Sequence, residues 1–244
     1  MINEGFDETY VTLFDKQDRL ITLFETFGFT YWGRKDNGEL VYHKILNAKH
    51  NPYNDFPMIE TKGKNKYLLS IYSEYHTKLF PDSKLHTERT HIVEDLSFTN
   101  TIEKVYLTAM TGVNIVNIGD LIVIYRTADS GKSAEYSSVA TSVCTLIDKK
   151  YISKFSNLKS FIGYCVKGTV FTKDELKRFW DNGKYPYVIK MLYNFALPKR
   201  IIRKELIEQV VIDRNQRIMV VPLSDEGFNK IIELGEVNEG YIIN

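Results

Sequence analysis

Between Gly183 and Arg217 the chain gathers eight basic residues, Lys184, Lys190, Lys199, Arg200, Arg203, Lys204, Arg214 and Arg217. Only three acids (Glu205, Glu208 and Asp213) stand among them, which gives a local net charge of +5. Tyr185, Tyr187 and Tyr193 are interleaved. Cations neutralise phosphates and aromatic faces stack on exposed bases, so this is the composition a nucleic-acid surface requires. Lys190, Tyr193, Lys199, Arg200, Arg203 and Lys204 are the candidate contacts. The last four follow Pro198, where the chain is expected to turn into a helix and gather its charges, and neither Arg200 nor Arg203 is expected to hold the core. The same residues read equally as a solvated strand and helix face, offset by the acidic tail after Val221.

A second constellation is Arg126 and Thr127 at the end of one β-prone run, with Ser138, Thr141 and Ser142 on the next. A strand-end guanidinium facing small hydroxyls would line a ligand cleft with fixed donors; hydroxyls on the solvent side of a strand look the same in sequence. The five histidines (His43, His50, His76, His86 and His91) all precede residue 101. The C-terminal part therefore has no histidine base and no histidine-containing zinc site. His86 and His91, with Glu88 near, fit no standard metal spacing, so no metal site is assigned. Cys144 and Cys165 lie among apolar neighbours and read as packing residues. No catalytic residue is assigned.

A chain of 244 residues can bury a core without disulfides or metals. Hydrophobic and charged shares of 43% and 26% argue against disorder. The formal net charge of +1 gives no global field towards nucleic acid or membrane, so any basic surface must be local. Two cysteines make no disulfide framework, and a reduced, cytoplasmic setting is expected. The acidic start MINEGFDETY is no signal peptide, and no apolar run is long enough to span a membrane.

Thr9 to Phe14 alternates as a strand, Lys16 to Phe27 has helical spacing with Asp15 as cap and Gly28 as stop, and Asp36-Asn37-Gly38 joins a hairpin from Phe29–Trp32 to Leu40–Ile45. Asn47 to Lys66 is a connector. Tyr67 to Tyr72 reads as a strand, Glu74 to Leu79 as a short helix, and Asp82 to Asn100 as a loop holding the domain boundary. Beyond it, strands are expected at Glu103–Met110, Leu121–Arg126, Ser137–Ile147, Tyr187–Leu197 and Arg217–Val221. Helices are expected at Asn157–Lys167, Lys173–Asp181, Arg203–Val210 and Glu226–Leu234. Thr172 with Glu175 forms a capping box, and Ser224 opens the last helix.

TYVTLF, DRLITLFETFGF and the hairpin closing in GELVYHK resemble the C-terminal half of a GNAT-type N-acetyltransferase over about forty residues. The glycine-rich turn that holds the acetyl-CoA pyrophosphate in that family would precede this segment, where only eight residues stand. Phe24 occupies the position of the family's tyrosine general acid, and Gln17 that of a frequent asparagine. From Thr101 on, EKVYLTAM, the Gly119-Asp120 step into LIVIYRT, SSVATSVCTLI, YPYVIKMLY and RIMVVPLSDEGFNKIIELG resemble the PUA-like superfamily in its ASCH and EVE branches. Together the segments look like a bacterial group joining the two domain types, and the resemblance implies binding of RNA or DNA, or of a modified base.

The expectation is therefore an α+β protein. Residues 1–100 form a truncated GNAT-like α/β region with connector, and 101–244 a PUA-like mixed β-barrel domain with peripheral helices. Its function is nucleic-acid or modified-nucleotide binding with no cofactor, and self-association through the N-terminal part is a further expectation. The alternative is the C-terminal portion of an N-acetyltransferase whose acetyl-CoA-binding half lies outside this chain.

Overall fold

The computed structural model describes residues 2–83 and 101–243. Most of the expected loop from Asp82 to Asn100, with His86, Glu88 and His91, lies outside the described residues. The chain divides into two compact units, one of residues 1–63 with 238–244 and one of residues 64–237.

In the first unit, β1 (Glu8–Leu13) is followed by α1 (Asp18–Thr26), β2 (Thr30–Arg34) and β3 (Leu40–Ile45), the strands ordered β1-β3-β2 and all antiparallel. Alternation turns Val11, Leu13, Leu40 and Tyr42 to one face, where Leu20, Ile21 and Phe24 of α1 cover them with Phe29. Phe24 packs edge-on against Phe29 at 5.0 Å. Gly28, at φ +82°, ends the helix in the left-handed region that glycine adopts without strain. The helix begins later than expected. Gln17, not Asp15, is its first flanking residue, and its Oε1 accepts from the Phe14 amide while Asp15 lies 3.4 Å from Arg34. The expected connector holds one turn of helix, α2 (Pro52–Asp55), and a two-residue strand, β4 (Ile59–Glu60), which pairs in parallel with Ile242–Ile243.

The second unit starts at β5 (Lys66–Ile71), not near residue 100, because β5 is hydrogen-bonded inside its sheet. After α3 (Ser73–Leu79) come β6 (Glu103–Thr108), β7 (Leu121–Arg126), α4 (Ala134–Ser137), β8 (Val139–Tyr151), α5 (Leu158–Cys165) and α6 (Lys173–Asn182). Then follow β9 (Tyr187–Ile202), α7 (Arg203–Glu208), β10 (Val220–Leu223) and α8 (Asp225–Leu234). The six strands run in the order β10-β5-β7-β8-β9-β6, with β5 and β7 parallel and every other pair antiparallel. Among the described residues no strand pairing joins β6 to β10. A 3₁₀ turn, Thr111–Ile115, packs on β10 there, so close that a Cβ on Gly112 would stand 2.9 Å from that of Val220. Inward residues of β5, β6, β7, β8 and β9 share one core, and the far face of β6 and β9 is covered by Phe161 and Cys165 of α5 and Leu176 of α6.

The Gly119-Asp120 step has a structural cause. The buried Asp120 carboxylate accepts from the amides of Asn117 (2.7 Å) and Asn65 (3.2 Å) and from the Asn65 side chain (3.2 Å), fastening the starts of β5 and β7 together. Lys149 fastens the 3₁₀ turn, donating to the carbonyls of Val113, Asn114 and Val116 at 2.7–3.0 Å. Caps at Thr172 (with Glu175) and Ser224 form as the sequence indicates, and Asn157 with Ser160 builds another capping box. Among the described residues no helix is long and apolar enough to cross a membrane.

One terminus is strained. α7 closes with Val210 N–H on the Ile207 carbonyl and Val211 N–H on that of Leu206, the pattern that needs a left-handed residue at position 210. A valine fills it at φ +57°, with its side chain 87% exposed. V210G should raise stability by about 1 kcal/mol, because the left-handed region costs a β-branched residue roughly that much. Thermal unfolding should show a rise of about 2–4 °C; an unchanged or lower Tm would count against this account of the helix end.

Candidate functional site

Parallel pairing sets Ile71 beside Arg126, so the carboxyl ends of β5 and β7 open at one place. Crevices beyond such strand ends are where open sheets take ligands. A cavity of about 550 Å³ lies here. Tyr72, Ser73 and Glu74 contribute from one side and Thr127, Asp129 and Lys132 from the other; Tyr125, Ser138, Arg203 and Ile218 complete the wall. The volume is in the range of small-molecule sites.

The walls are fixed by short-range bonds. Thr127 N–H donates to the Ile71 carbonyl at 3.0 Å, and Ser138 Oγ accepts from the Ala128 amide at 2.9 Å. Arg126, 4% exposed, stands behind the wall with Nη2 2.8 Å from Asp129, and Lys132 approaches the other carboxylate oxygen at 3.3 Å. Burial works against the charge on Asp129, but a Ser73 hydrogen bond together with Arg126 and Lys132 outweighs it and holds the carboxyl below its ordinary range. Arg203 donates to the Tyr125 hydroxyl (3.3 Å) and to the carbonyls of Arg214 (3.0 Å) and Gln216 (2.7 Å). It therefore tethers the segment after α7. Tyr72 is 64% exposed, an aromatic face at the mouth with little to lose on stacking.

Of the cleft residues read from sequence, Thr127 and Ser138 line the cavity and Arg126 backs it. Thr141 and Ser142 do not line it. Both are fully buried, and Thr141 Oγ1 meets His76 Nε2 at 2.8 Å, because the β7–β8 and β8–β9 registers shift at this point and turn the pair inwards.

The basic stretch does not form one patch. β9 continues through Pro198, where a turn into helix was expected, so Lys190 and Arg203 are about 40 Å apart along the chain. Lys190 pairs with Glu103 at 3.1 Å and lies 4.5 Å from the Tyr164 ring centre. Lys199 pairs with Glu205 (3.4 Å) and Lys204 with Glu208 (3.6 Å), while Tyr193 packs on the core with its hydroxyl 2.9 Å from Ser83 Oγ. Arg200 donates to the Asp82 carbonyl at 3.0 Å. Only Arg203 of that group reaches the cleft. Among the described residues, no cluster of three or more His, Cys, Asp or Glu could hold a metal ion. Tyr72, Ser73, Glu74, Asp129 and Lys132 were not apparent from the sequence; the signal available was two β-prone runs, each ending in a tyrosine and polar residues.

No family model and no curated protein sequence matches the chain. Among solved structures it is similar to an ASCH protein from Zymomonas mobilis (11% identity, TM-score 0.43), covering 69% of this chain and 94% of that one. It is also similar to human THYN1 in complex with 5-methylcytosine-containing DNA (10% identity, TM-score 0.40, 72% and 99%). A further similar structure is the N-terminal domain of Thermococcus gammatolerans McrB bound to m5C DNA (8% identity, TM-score 0.39, 71% and 98%).

Proposed function

We propose that the second unit is a nucleic-acid-binding module whose cleft beyond β5 and β7 receives one unstacked base. The observation that carries this is the combination of the 550 Å³ cavity with an exposed aromatic face, Tyr72, at its mouth. A base needs a stacking surface and a mixed set of donors and acceptors for its edge. Ser73, Thr127 and Ser138 offer hydroxyls, Glu74 and Asp129 acceptors, and Lys132 and Arg203 donors. Lys132, Arg203 and Lys204 carry positive charge on the segments that form or adjoin this wall, where the sugar–phosphate chain of such a base would run. The surface ion pair that holds Lys204 is worth little and can be exchanged for a phosphate.

Anisotropy titrations with labelled single-stranded and duplex DNA and RNA test this. The expected result is binding of single strands in preference to intact duplex, with log K falling against log salt at a slope of about −2, from three phosphate contacts. No binding of any of the four at low salt would overturn the reading.

A further inference from the structure

The first unit keeps aromatic side chains in water on the face of its sheet away from α1. Val11, Leu13, Leu40 and Tyr42 face the helix, so alternation turns Tyr10 of β1 and His43 of β3 the other way, directly opposite each other. On β2, Thr30 pairs with the same His43. Tyr31 then pairs with Tyr42 and Gly33 with Val41, which leaves Trp32 as an extra residue with no cross-strand partner. Such a bulge re-aims its side chain, and the Trp32 ring lies 5.6 Å from that of His43. Tyr10, His43 and Trp32 thus form a row across all three strands, about 10 Å from the first strand to the third. Trp32 is 72% exposed and Tyr10 67%. The solvent face of an antiparallel sheet is ordinarily polar, and aromatic surface grouped there marks a contact site.

The charges on this face select the partner. Its outward positions hold one carboxylate, Glu8, and no lysine or arginine. Glu8 reaches over the row, with Oε2 3.0 Å from His43 Nε2, and stays mostly exposed. Of the neighbouring bases, Lys44 turns to the α1 side over the Phe29 ring, and Arg34 lies 3.4 Å from Asp15. The unit as a whole has eleven acids against seven lysines and arginines, a net charge of −4 in a chain whose total is +1. A nucleic-acid backbone finds no cation on this face, and a second copy of the face would bring Glu8 against Glu8. A cation gains twice, from the negative faces of the tryptophan and tyrosine rings and from the carboxylate.

We propose that this face binds a basic segment of another polypeptide through an arginine side chain, the guanidinium stacking on Trp32 and Tyr10 and donating to Glu8. Arginine is favoured over lysine because its planar group lies flat against a ring and still offers paired donors to a carboxylate. The site is separate from the cleft and does not rest on what the cleft binds.

Anisotropy titrations of the full chain into a labelled Gly-Arg-Gly-Arg-Gly peptide test the proposal, beside versions with lysine or uncharged citrulline in place of arginine. The arginine peptide should bind most tightly and the citrulline peptide least. Trp32→Ala and Tyr10→Ala should each weaken the arginine peptide about 2- to 30-fold, Trp32→Phe should weaken it less than Trp32→Ala, and Glu8→Gln should weaken it and flatten its salt dependence. The three side chains are exposed, so each variant should unfold within about 2 °C of wild type. Each should also bind single-stranded DNA as the wild-type protein does. Failure of the arginine peptide to bind at low salt, citrulline bound as tightly as arginine, or an affinity indifferent to both Trp32→Ala and Tyr10→Ala would each overturn the site. A concentration-dependent dimer that Trp32→Ala dissolves would give the face to a second copy and overturn it equally.

Discussion

Asp120→Ala is expected to cost the second unit about 3 kcal/mol, a large fraction of the net stability of an ordinary domain. Its carboxylate is the shared acceptor for two main-chain amides and one side-chain amide, and alanine would leave those donors buried without a partner. For a unit of this size the loss should appear as a fall in Tm of about 6–12 °C. Asp120→Asn keeps one acceptor oxygen and should fall between alanine and wild type. Asp120 sits at the start of β7, the end away from the cleft, so affinity for a single-stranded oligonucleotide, measured well below Tm, should be unchanged. A variant that lost binding while staying folded would place the Gly119-Asp120 step in the recognition surface and contradict its structural role.

Tyr72→Ala should have the opposite signature. The ring is mostly exposed, so its removal should change stability by less than about 0.5 kcal/mol. Base–aromatic stacking contributes about 1–3 kcal/mol, so affinity for single strands should fall about 5- to 150-fold, with the salt slope unaltered because no phosphate contact is lost. Tyr72→Phe retains the face and should bind nearly as wild type. An alanine variant that binds as tightly as wild type would remove the stacking platform from the account.

What the sequence made legible was local. The capping box at Thr172 and Glu175 and the Ser224 cap are three-residue patterns, each satisfied within its own helix. The strand Leu121–Arg126 was bounded by the glycine turn before it and the polar run after it. The missing pieces depend on distant partners. That β5 belongs to the second unit follows from its pairing with β7 and β10, more than fifty and more than one hundred and forty residues further on. The net charge counted from Gly183 to Arg217 overstated the basic surface because Glu103 and Glu135, outside that window, come back to Lys190 and Arg214. Pro198 pointed to a turn because an unbroken ladder cannot accept it; the bulge opposite Thr141 accepts it inside the strand. The cleft was half legible. Thr127 and Ser138 were read from strand ends, whereas Ser73, Asp129 and Lys132 needed the parallel pairing of β5 and β7 to be seen as neighbours.

The most direct test of the central claim is to map backbone amide shifts while a short single-stranded oligonucleotide is titrated into the full chain. A base seated in the cleft should perturb the amides of Tyr72–Glu74, Thr127–Lys132, Ser138 and Ile218, and in Tyr72→Ala the same perturbations should need a correspondingly higher oligonucleotide concentration to saturate. Shifts concentrated instead along Lys190, Lys199 and Lys204, with the cleft amides still, would show binding by the strand and helix face and contradict the account.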